Sequence, residues 1–93
     1  MEAVATIATP NGSKYLQQLC KHWGHKFEVE FDAAAGKIAF PTSAVVFAAT
    51  PEALTMTLLG PDADTLERME RVVADHLQRF AFRETLAVEW LRA

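Results

Sequence analysis

Ninety-three residues, 51% hydrophobic and 23% charged, make one domain with one core and exclude an intrinsically disordered chain. A net charge of -3 excludes the basic footprint of generic nucleic-acid binding, and a single cysteine excludes an internal disulfide. No apolar run nears the roughly 18 residues that span a membrane, and "MEAVATIATP" lacks the pattern of a secretion signal, so the expected location is the cytoplasm.

Ala3–Ala8 is a short apolar run carrying Val4, Thr6 and Ile7, and it reads as a strand. Thr9 is placed to cap a helix whose first residue is Pro10, where a missing N–H costs nothing. Tyr15, Leu16, Leu19 and Trp23 then fall on one helical face. Gly24 stands where a helix C-terminus favours a left-handed residue, so the helix is expected to end at Trp23.

Phe27, Val29 and Phe31 alternate with Glu28 and Glu30, the pattern of a strand with one wet face. "DAAAG" reads as a hairpin loop, after which Ile38 and Phe40 resume the alternation up to Pro41. "SAVVFAAT" and "ALTMTLL" are two further strands separated by the turn Thr50-Pro51-Glu52. Connections this short require antiparallel pairing. "GPDADTLERMERVVADHLQRFAFRE" is a long helix capped by Asp62 or Asp64, with Leu66, Met69, Val73, Leu77 and Phe80 as its apolar stripe. "LAVEWLR" closes the chain as a strand with Leu86, Val88 and Trp90 on one face. The order β-α-β-β-β-β-α-β predicts an α+β two-layer sandwich, with two helices on one face of an antiparallel sheet of five to six strands.

Charge is unevenly distributed. Lys14, Lys21 and Lys26 occupy a segment with no acid, whereas Glu28 to Glu70 holds eight acids against Lys37 and Arg68. "LCKHWGHKF" carries two of the three histidines and the cysteine. Cys20 and His22 point about 160° apart on a helix and cannot share a metal. His76, Arg79 and Arg83 fall along one edge of the second helix at about 100° per residue. If the helices pack side by side, these edges form a groove presenting Lys21, His22, His25, Lys26, His76, Arg79 and Arg83.

Three readings follow. Arginine and lysine bind a small anionic ligand while the imidazoles donate hydrogen bonds. Alternatively, His22, His25 and His76 coordinate zinc or iron. In the third, these side chains only tie the helices to the sheet and pair with Asp75, Glu84 or Glu89. Cys20 reads as a partly buried small hydrophobe with no adjacent base, so no catalytic residue is assigned. Phe82, on the helix side opposite Leu66 and Leu77, marks a candidate interaction or dimer surface that Val46 and Ala48 could extend.

"SKYLQQLCKHWGHKFEVEFD", "VVADHLQRFAFRE" and "VEWLRA" resemble a bacterial family called Domain of Unknown Function 2218 over nearly the whole chain. The resemblance implies a small stand-alone α+β protein without established activity. It also implies an association with siderophore-interacting flavin reductases, and hence with siderophore-iron handling and a reductase partner. Its blocks coincide with Lys21, His22, His25, Lys26, His76, Arg79, Phe82 and Arg83. One departure is "AFPTSAVVFAA", more apolar and less acidic than that family's pattern. The expectation is a non-enzymatic binding or accessory module, monomeric or homodimeric.

Overall fold

A computed structural model describes residues 1–92. It contains β1 (Glu2–Ala8), α1 (Gly12–Trp23), β2 (Glu28–Phe31), β3 (Ala35–Ala39), β4 (Ala44–Ala49), β5 (Ala53–Leu59), α2 (Ala63–Phe80) and β6 (Leu91–Arg92). The strands form one six-stranded antiparallel sheet in the order β2-β3-β4-β5-β1-β6. The predicted class and element order are therefore those observed.

Alternation along each strand decides which face is buried. Val29, Ile38, Val45, Leu58 and Ala3 oppose one another across five strands, and all but Val29 are fully buried. Both helices lie on this face. The α1 stripe of Tyr15, Leu16, Leu19, Cys20 and Trp23 covers β2 to β5, and Leu66, Val73 and Leu77 of α2 cover β5 and β1. Gly36 makes the close seating of α1 possible. A Cβ there would stand 3.1 Å from Cys20 Sγ and 3.2 Å from Phe31 Cβ. Among the described residues, none covers the outer face of the sheet.

Several local expectations are corrected. Helix α1 begins at Gly12 rather than Pro10, with Asn11 in the cap position, and the Thr9 hydroxyl accepts the Asn11 N–H at 3.1 Å. Gly24 is right-handed (φ -62°), and its role is spatial, since a Cβ would lie 3.0 Å from the Cys20 carbonyl oxygen. Gly36 belongs to β3 instead of the hairpin loop, which Asp32 closes by accepting the Ala34 and Ala35 N–H groups. Asp62, not Asp64, caps α2 by accepting the Thr65 N–H at 2.8 Å. Cys20 is fully buried, and burial pushes its thiol up to about 11.

The chain leaves α2 at Phe80, so Phe82 and Arg83 lie beyond the helix and not along its edges. Gln78 turns the chain by donating to the Ala81 and Glu84 carbonyls and accepting the Leu86 N–H. Only Leu91 and Arg92 pair with β1, in place of the strand expected over the whole of "LAVEWLR". The alternation survives without a ladder, because Val88 and Trp90 line the flank of α2 beside Glu67, Glu70 and Ala74. Arg92 then pins this segment to Glu70 at 3.0 and 3.1 Å. Among the described residues, no helix is long and apolar enough to cross a membrane.

Candidate functional site

The two helices run antiparallel, so the end of α1 meets α2 near His76 and the start of α1 meets the residues that follow α2. At the first of these junctions the imidazoles of His22 and His76 have centroids 5.4 Å apart. His22 also meets Phe80 at 5.8 Å, and His76 leans on Trp23 at 4.6 Å. Trp23 continues edge-to-face into Phe40 at 5.2 Å, and Phe40 into Phe27 at 5.0 Å. A row of rings thus connects the helix seam to the sheet.

His76 has a defined orientation. Its Nδ1 lies 2.7 Å from the Val72 carbonyl oxygen, which can only accept. Nδ1 therefore carries a proton, and Nε2 is the nitrogen left for another partner. Lys21 and His22 occupy the last turn of α1, His25 and Lys26 the exposed turn after it, and Arg79 the last turn of α2. The ion pairs among the described residues are Arg71–Glu67 and Arg92–Glu70, so Lys21, Lys26, Arg79 and Arg83 have no carboxylate partner there. Beside Trp23 opens a hollow of about 350 Å3, lined by Phe27, Phe40, Met69, Arg68 and Ser43. The Ser43 Oγ is buried without a hydrogen-bond partner among the described residues.

The expected constellation is thus partly assembled. His22 and His76 come together, with Lys21 and Arg79 on the same two helix ends. The three-histidine zinc or iron centre does not form: among the described residues no group of three His, Cys, Asp or Glu side chains is placed to hold a metal ion. The reason is local. His25 follows Gly24 in the turn that leads to β2, outside the helical edge it would have to share with His22. Arg83 likewise departs from the His76–Arg79 edge, and its guanidinium carbon lies 5.6 Å from the Phe82 ring centroid instead. Phe82 is 75% exposed. Val46 and Ala48 point outward from the sheet, on the layer opposite the helices, so they do not extend a patch around Phe82.

Sequence reasoning missed the other end of the seam. Glu84, expected to meet arginine or histidine, accepts instead from Thr9 Oγ1 at 3.0 and 3.2 Å, from Asn11 Nδ2 at 3.0 Å, and from the Tyr15 hydroxyl. The Tyr15 and Asn11 donors, then Thr9 and the charge of Lys14, hold the Glu84 carboxyl below the usual carboxylate range. Burial pushes the Tyr15 phenol upward, and the adjacent carboxylate adds to the shift. This is a latch between the β1–α1 turn and the chain after α2. Its partners lie 69 to 75 residues apart in sequence, beyond the reach of any local pattern.

The model of a family described as "uncharacterized protein conserved in bacteria (DUF2218)" matches residues 4–91. Among solved structures, the NMR structure of PA4090 from Pseudomonas aeruginosa is similar, with 43% identity and a TM-score of 0.83. That match covers 99% of this chain and 96% of the other. No curated protein matches the sequence.

Proposed function

The chain belongs to the bacterial DUF2218 family, and from that premise we propose that it is a non-enzymatic binding module for a small anionic ligand held at the His22–His76 end of the helix seam. The observation that carries this reading is the approach of two imidazoles to 5.4 Å, on helices whose last turns also carry Lys21 and Arg79, which have no carboxylate partner among the described residues. A carboxylate or phosphate there receives charge-assisted hydrogen bonds from His22, His76 and the adjoining Lys21 or Arg79. An aromatic acid suits the surroundings better than a bare ion, because its ring can settle over Trp23 and the neighbouring hollow. A catecholate-type acid is the class that the siderophore association would supply.

With Nδ1–H committed to Val72, Nε2 can donate to an anion only when the ring is an imidazolium. The test is an NMR titration of the whole protein with 2,3-dihydroxybenzoate, citrate and inorganic phosphate. The His22 and His76 ring signals and the Trp23 indole signal should move together, and His22→Ala should abolish the movement with the fold intact. No movement with any of the three at millimolar concentration would reject the reading.

A further inference from the structure

We propose that the uncovered outer face of the sheet is a docking surface for a second copy of this chain, packed sheet against sheet about a two-fold axis that runs along the strands between β4 and β5. One outward row crosses all six strands as Glu30, Lys37, Val46, Thr57, Val4 and Leu91. A solvated sheet face ordinarily alternates in charged residues. Here the outward positions of β4, β5 and β1 are alanine, valine, threonine and leucine, with Glu2 the one charge among them. Val46, Leu59 and Leu91 stand 37%, 39% and 73% exposed on this face. Small, flat side chains of this kind let two sheets approach to about 10 Å.

The area is sufficient. Six strands at about 4.8 Å spacing are about 25 Å across, and the five to seven residues of the four middle strands at about 3.4 Å run about 20 Å, with β2 and β6 shorter at four and two residues. The flat footprint is about 500 Å2 per copy, or about 1,000 Å2 in all, where specific association begins.

Charge placement selects both the occupant and the axis. Lys37 on β3 and Glu2 on β1 lie equally far on either side of the β4–β5 line, while the outward Glu28 and Glu30 sit on the edge strand β2, Glu30 directly beside Lys37. A two-fold axis along that line lays β3 of each copy over β1 of the other, which brings each Lys37 over Val4 and within side-chain reach of Glu2. The alternative axis, in the same plane but across the strands, would stack Lys37 on Lys37. The face is therefore complementary to itself in one orientation, as an isologous interface requires.

Sedimentation equilibrium of the whole chain should show a concentration-dependent shift from 10.3 kDa to twice that mass. Val46→Glu places two unpartnered carboxylates at the dry centre and should weaken association at least about a hundredfold. Because Val46 is already partly exposed, the variant should retain the wild-type amide spectrum. Lys37→Glu should weaken the dimer and Lys37→Glu combined with Glu2→Lys should restore it, a rescue that misfolding cannot mimic. A monomer at every concentration would overturn the proposal and leave the face to a different partner. A dimer insensitive to Val46→Glu would overturn it too, by locating the interface elsewhere.

Discussion

The two ends of the α1–α2 seam are built from opposite chemistry. At the Tyr15 end one carboxylate, Glu84, gathers three side-chain donors and closes the fold over itself. At the His22 end two imidazoles meet on an aromatic floor, and Lys21 and Arg79 in the last turns of the two helices have no acid partner among the described residues. The donors at the first end are consumed by structure, whereas at the second only the His76 Nδ1–H is held, by Val72, and the rest are left to solvent or to a ligand. A polar cluster without internal partners adds little to folding, which is why the open end and not the latched one carries the functional proposal.

Substitutions can break this contrast. The largest effect is expected from Trp23→Ala, because Trp23 is only 7% exposed and supports both His76 and Phe40. Its loss should cost about 3–5 kcal/mol in urea unfolding. A much smaller loss would mean that the aromatic floor is not part of the core. Tyr15→Phe comes next. It keeps the buried ring but removes a hydrogen bond to a charged acceptor, and should cost about 1.5–3 kcal/mol. A near-neutral result would reduce the latch to an incidental contact.

The smallest effect is a pH dependence. Glu84 is held low in the folded state, so the unfolded chain binds more protons as pH falls below about 4.3. Its stabilisation is complete above the unfolded carboxylate pKa and is lost as pH falls through the folded one. Glu84→Gln should therefore flatten the acid limb of the stability profile. Some slope should persist, because Asp32 and Asp62 are held low by backbone N–H groups in the same direction. An acid limb unchanged by Glu84→Gln would remove Glu84 from the linkage.

Much of the α1 face was legible before any coordinates. Tyr15, Leu16, Leu19 and Trp23 are all buried as their spacing predicts, and counting around the two helices placed His22 and His76 on edges that do face each other. Helix ends were read less well. The sequence extends the α2 helix through Phe82 and Arg83 because nothing local stops it, and the real stop is Gln78 bonding to a chain that turns away. The acid partner of Tyr15 was invisible for a related reason: Glu84 reads as one more surface carboxylate until the chain reversal brings it back to Thr9 and Asn11.

Periodicity alone determined the class of fold, since apolar residues at spacings of two and of 3.6 have one economical way to bury themselves against each other. Which polar side chains would find partners was decided only in three dimensions. Hydrogen bonds and ion pairs act over about 3 Å, so a displacement of one helical turn, such as the early end of α2, reassigns them where a hydrophobic stripe would tolerate the change. The same tertiary arrangement left one side of the sheet bare, with Lys37 and Glu2 on strands equally far from its middle.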